Sequence, residues 1–193
     1  MVKRLFLILV LTFSPGMLPY AAAPSSNVYE IEVIVFENRL PDLEGGEFWT
    51  RKEEKNAGME MSDAVSVGEK PAADSGLSAT AAALESSGRH HVLAHLRWQQ
   101  SAEAKSVSKP VKIISTDGAL YGALRFYLSR FLLVDLSLTL REGAMTAGMP
   151  GGAGPEASAY RLIEGRRVKL AETHYFDHPK FGALVRVSPI KAN

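Results

Sequence analysis

His174 and His178 stand four residues apart with Asp177 between them, a grouping whose donor types suit a metal ion. A helical zinc pair needs both imidazoles on one helix face, and Pro179 disfavours helical geometry at the residue before it. A zinc-protease helix also carries glutamate directly after its first histidine, where this chain has Tyr175. The run therefore reads as structural, with Asp177 accepting backbone hydrogen bonds in a turn that Pro179 stiffens. His91 and His95 share a strand face, but four extended residues span about 13 Å, too far for one ion. They read as ordinary, partly exposed histidines. The chain has no cysteine and no G-x-S-x-G elbow, so nucleophilic catalysis finds no support. Its carboxylates show no pairing of the kind a glycosidase needs. The expectation is a protein without metal, cofactor or catalytic centre.

Arg166 and Arg167 are the other conspicuous pair. As strand neighbours they point to opposite faces. One is outward; the other meets the core side and needs a carboxylate, with Asp135 and Glu164 as the two candidates.

These residues hang on a framework whose centre is Leu120–Leu140. Nine of its eleven even positions are large and apolar, while Arg125, Ser129, Asp135, Ser137 and Thr139 fall between them. Such alternation predicts strand with one buried and one wet face. A helix fits Leu120–Leu132 but fails beyond, where Asp135 would enter the apolar stripe. One strand of this length is unusual, so a bend or bulge is expected near Gly122 or Arg130.

Upstream, Val28–Phe36 predicts a strand burying Tyr29, Ile31, Val33 and Val35, with Glu30 and Glu32 solvent-facing and Ile34 and Phe36 under a second layer. Asn38–Gly76 is rich in glycine, charge and small residues and reads as a mobile insertion. Its Phe48 and Trp49 either tuck onto the body or stand out as a contact. Ser78 caps a short helix over Ala79–Ser87, with Leu77, Ala81 and Leu84 inward and Gly88 ending it. His91–Gln99 is a strand with Val92, Ala94, Leu96 and Trp98 on one face, and Val111–Ile114 a short one. Beyond the centre, Gly143–Ala159 is a flexible hairpin tip, Tyr160–Val168 a strand, Lys180–Gly182 a turn, and Ala183–Val187 the last strand. Together these predict an α+β domain over residues 28–189: a mostly antiparallel sheet of about five strands, with one short helix packed on a face.

The first 23 residues read as a secretory signal peptide. Lys3 and Arg4 precede the apolar Leu5–Phe13 and the small-residue exit Tyr20-Ala21-Ala22-Ala23. Losing that leader moves the formal net charge from +1 to −1. The basic surplus of a nucleic-acid binder is missing.

The segments YEIEVIVFEN, VLAHLRWQQ, GALRFYLSRFLLVDLSLTL and above all RRVKLAETHYFDHPKFGALVRVSP resemble the CsiV family of periplasmic peptidoglycan-binding proteins. The resemblance spans nearly the whole mature chain except Asn38–Gly76, and Arg166–Pro189 is its most specific part. It implies a periplasmic location and a wall-binding, non-enzymatic role supporting a class A penicillin-binding protein, with that enzyme and its outer-membrane lipoprotein activator as partners. One departure is Arg130-Phe131-Leu132-Leu133, where the family pattern runs Arg-Tyr-Leu-His; a hydroxyl and an imidazole are lost. Peptidoglycan stems carry carboxylates and its sugars present apolar C–H faces. An outward arginine beside Tyr175 and a tryptophan would meet both. The expected ligand contacts are Arg166, Arg167, His174, Tyr175, Asp177 and His178. Two alternatives remain: a metal-dependent wall hydrolase using the His/Asp cluster, and an assembly factor without glycan affinity.

Overall fold

The computed structural model describes residues 28–39, 59, 61–67, 75–142 and 158–190. The leader and the Phe48–Trp49 pair lie outside them, as does the 143–157 part of the glycine-rich tip. In chain order the elements are β1 (Val28–Asn38), a 3₁₀ turn (Met61–Asp63), α1 (Ser78–Ser86), β2 (His90–Ser101), β3 (Val111–Ile114), β4 (Leu120–Leu128), β5 (Leu132–Glu142), β6 (Ser158–Arg167), β7 (Thr173–His178) and β8 (Phe181–Pro189). They form two four-stranded sheets, ordered β2-β1-β8-β7 and β3-β4-β5-β6, with every neighbouring pair antiparallel. Mostly antiparallel sheet with one helix agrees with the expectation. The count does not: there are eight strands in two sheets rather than about five in one.

The central stretch accounts for much of the difference. Leu120–Leu140 is a hairpin, not one bent strand. Leu128 lies opposite Leu132, so the turn holds three residues, 129–131. Directly opposed residues in an antiparallel pair share a face, and an odd turn makes even residues oppose even ones. The apolar alternation therefore runs through the turn without a break in phase, and period alone does not distinguish hairpin from strand. No bulge occurs at Gly122, which pairs in register with Leu138. It is there because the strands approach closely: a Cβ would run into the Ser137 carbonyl and sit 2.7 Å from Leu138 Cα.

The two sheets bury their inner faces against each other. Ile31, Val33 and Val35 of β1, Phe176 of β7 and Phe181, Val185 and Val187 of β8 share one cluster with Leu124, Phe126, Val134, Leu136 and Leu138 from the other sheet. Tyr29 meets Phe126 edge-on across the gap, centroids 5.5 Å apart. Trp98 joins this core, with its indole N–H donating to Gln100 Oε1 at 2.6 Å.

On the outer face of the first sheet, α1 rests on Ile34 and Phe36 through Leu77, Ala81 and Leu84, the second layer anticipated there. Val92 belongs to this outer cluster rather than with Leu96 and Trp98. The pairing slips one residue between Val35 and Phe36, and beyond such a bulge every side chain of the longer strand changes face. Glu32 also departs from expectation. It is only 3% exposed; its Oε2 accepts the Leu77 backbone N–H at 3.1 Å and its Oε1 lies 2.7 Å from His95 Nε2. Burial by itself would raise this carboxyl's pKa, but the bonds from His95 and the Leu77 amide outweigh it and hold the group below the ordinary carboxylate range. The helix start is thus met by a carboxylate 45 residues upstream, while the Ser78 hydroxyl donates to the Ser75 carbonyl instead of capping.

Within the 38–76 stretch, residues 61–67 pack on the body. Ala64 is buried, and Val65 bridges Val111 in parallel through hydrogen bonds with Pro110 and Lys112. This short segment shields the β3 edge.

Leu136→Ala is expected to lower unfolding free energy by roughly 2–5 kcal/mol, because that side chain is fully enclosed. Ser137→Ala, one position along on the outer face, should stay within about 0.5 kcal/mol of the parent. Urea unfolding of the two variants checks the assignment of faces.

Candidate functional site

β7 is a strand, and its alternation divides the candidate residues. Tyr175 and Asp177 oppose Leu184 and Gly182 of β8 and face outward with them. His174, Phe176 and His178 face the other way. Asp177 is therefore not a turn acceptor as anticipated: its Oδ1 accepts the Tyr175 hydroxyl at 2.6 Å. The turn after it is the two-residue Pro179–Lys180, since His178 opposes Phe181 directly. Tyr175 lies across Gly182 and stacks beside Phe36, centroids 6.2 Å apart and planes 11° apart. A Cβ on residue 182 would come within 2.7 Å of Tyr175 Cε2 and 2.9 Å of Phe36 Cζ. Glycine is what lets the ring lie flat. Burial, then the bond to Asp177, pushes the Tyr175 hydroxyl pKa well up, so the phenol stays a proton donor. The residue remains 43% exposed.

Arg166 and Arg167 take opposite faces, as strand geometry requires. Arg166 opposes Val134 and turns into the seam where the edge strands β6 and β7 meet. Its Nε donates to Glu164 Oε1 at 2.9 Å and its Nη1 to the Tyr175 carbonyl at 2.8 Å, while its guanidinium lies 4.4 Å from the Phe176 ring centre. Of the two candidate partners, Glu164 is the one. Asp135 is engaged by Lys105 at 2.7 Å and by the Tyr127 hydroxyl at 3.2 Å. Arg167 is outward and exposed, its guanidinium 3.8 Å from the centre of the Phe131 ring.

The six candidates thus do not converge. Arg166, His174 and His178 line the seam; Tyr175 and Asp177 lie on the outer face of one sheet, and Arg167 on the outer face of the other. The expected grouping of an outward arginine, Tyr175 and a tryptophan is not formed, for Trp98 is buried and Trp49 lies outside the described residues.

The family model described as "Peptidoglycan-binding protein, CsiV" matches residues 4–190, nearly the whole chain. The chain belongs to the CsiV family. No curated protein and no solved structure matches it. Among the described residues of this CsiV protein, no helix is long and apolar enough to cross a membrane.

The seam of the CsiV chain also contains a cluster that sequence reasoning missed. Lys180, in the β7–β8 turn, reaches Glu142 Oε1 at 2.8 Å, and Glu142 Oε2 accepts the Tyr160 hydroxyl at 2.9 Å. His178 sits between the Tyr160 and Phe181 rings, 5.8 and 5.2 Å away. Glu142 and Lys180 are 38 residues apart, and no spacing rule links them. Each of these two histidines uses one ring nitrogen as a local acceptor: His178 Nδ1 accepts the Lys180 N–H at 3.1 Å, and His174 Nε2 accepts the Lys169 N–H at 3.0 Å. A nitrogen that accepts is unprotonated.

Burial, aided by Lys180 and opposed by Asp177, pushes the His178 pKa below 6.5. The sign follows: below pH 6.5 the unfolded chain takes up a proton that the folded imidazole resists. His178 therefore contributes stability at neutral pH that is lost as pH falls from about 6.5 toward the lowered folded value. Urea unfolding at pH 7.5 and 5.5 should show a smaller acid loss in His178→Asn, whose carbonyl oxygen still accepts the Lys180 N–H.

Proposed function

We propose that this chain is a periplasmic, non-enzymatic peptidoglycan-binding protein that supports cell-wall synthesis by a class A penicillin-binding protein, together with that enzyme's outer-membrane lipoprotein activator. The observation that carries the reading is the family match over residues 4–190. Residue chemistry is consistent with it. Of the six candidates, Arg167 and Tyr175 combine an exposed side chain with a group that fits the wall: a guanidinium for stem carboxylates and a ring for sugar C–H faces. Arg166 is committed to the seam between the two sheets, His174 and His178 each accept a local backbone N–H, and the Asp177 carboxylate is committed to Tyr175.

Co-sedimentation of the mature protein with purified sacculi tests the reading. Binding of the parent is the expected result; its absence would leave the assembly-factor alternative in place. Arg167→Ala and Tyr175→Ala should each weaken sedimentation with little change in melting temperature. Arg166→Ala should instead destabilise by roughly 1–3 kcal/mol, because Glu164 and the Tyr175 carbonyl lose their shared donor. Retention of parental binding by both Arg167→Ala and Tyr175→Ala would place the contact elsewhere on the molecule.

A further inference from the structure

We propose that the outer face of the β3-β4-β5-β6 sheet is the surface on which this protein grips the stem-peptide carboxylates of peptidoglycan. The proposal rests on the peptidoglycan reading and adds to it the place and the chemistry of contact.

The register defines what this face presents. Lys112 opposes Ala123, Arg125 opposes Asp135, and Thr139 opposes Arg161, with Arg141 and Arg167 at outward positions toward opposite ends. Among the described residues of these strands, the five cations share the face with a single acid, Asp135. That acid is already held by Lys105, which comes from the loop before β3. Among the described residues, none of the five has a carboxylate within 4.0 Å. Arg125 stands directly across from Asp135 and still lacks it, and among the described residues its buried Nε has no hydrogen-bond partner. A chain with 22 basic and 21 acidic residues has thus gathered, among the described residues, positive charge without carboxylate partners on one side.

The two sheets differ in how their outer faces are covered. α1 lies on the first; among the described residues, no helix lies on the second. Apolar groups stand between its cations, with Ile114 51% and Ile163 39% exposed. A guanidinium presents a planar fork that matches a carboxylate, and four of the five cations are arginine. Alternating cations and apolar groups suit a polymer that alternates carboxylate-bearing peptides with sugar C–H faces. Exposed ion pairs each contribute little, so the grip comes from several acting at once along one polymer.

The test is sacculus co-sedimentation at low and at physiological salt. The triple variant Lys112→Gln/Arg125→Gln/Arg161→Gln leaves Arg167 and Tyr175 untouched. It should bind roughly tenfold more weakly than the parent and respond less to salt. A control losing three cations elsewhere, Arg39→Gln/Lys109→Gln/Lys169→Gln, should bind as the parent does. Sacculi whose carboxylates have been amidated with a carbodiimide should hold the parent no better than native sacculi hold the triple variant. Should the triple variant melt early, Arg161→Glu alone, on an exposed side chain, should still weaken binding severalfold. Parental binding by a folded triple variant would assign the face to another anionic partner, such as an acidic protein surface, and overturn the proposal. Undiminished binding to amidated sacculi, or an equal loss in the control, would overturn it too. In all those outcomes the peptidoglycan reading survives; a parent that never sediments sinks both.

Discussion

The two sheets stay together because each turns one apolar face toward the other, and every strand must hold its phase for that to work. A slip of one residue would exchange Leu136 for Ser137 and Val33 for Ile34 across the whole interface. The three-residue turn between β4 and β5 protects the phase at the centre of the second sheet, and Gly122 allows those strands to approach. The bulge at Val35/Phe36 spends one residue of β2 to deliver Val92 to the helix side and Leu93 to the core.

Polar groups then close what the apolar faces leave open. At the β6–β7 seam, Arg166 joins a carboxylate of one sheet to a backbone carbonyl of the other and covers Phe176. Lys180, Glu142 and Tyr160 make a second tie. On the opposite flank, Glu32 fastens the start of α1 and His95 to the first sheet. These bonds occupy the residues whose types most resemble a catalytic or metal centre. The histidines accept backbone hydrogen bonds, and Asp177 is taken by a phenol.

What is left for recognition is the surface those ties do not use. Arg167 has no structural counterpart to Arg166's seam bonds, although the two are sequence neighbours. It leans on Phe131, at the tip of the central hairpin, on the same sheet face as Lys112, Arg125, Arg141 and Arg161, which find no carboxylate partner among the described residues. On the binding face proposed above, peptidoglycan recognition would be a matter of summed weak contacts along a large polymer.

The sequence by itself determined that most of these segments are strands and which face of the central pair is buried, because a period of two is written residue by residue and burial enforces it locally. β7, which reads as a turn, and Val92, moved to the other face by the bulge, escape that rule. It also determined that Arg166 and Arg167 diverge and that Leu77, Ala81 and Leu84 face inward, both consequences of backbone geometry. The segment Arg166–Pro189 pointed to the CsiV family that the whole chain then matched. Only the tertiary structure decided that Leu120–Leu140 is a hairpin, since an odd turn leaves the alternation intact. It alone buried Glu32, because an acid on a half-apolar strand face is wet or dry according to whether a helix lands there. The pairing of Arg166 with Glu164 rather than Asp135, and the gathering of Lys112, Arg125, Arg141, Arg161 and Arg167 on one face, were likewise decided there. Charges tens of residues apart become neighbours through strand order and register, and neither quantity is encoded in any local spacing.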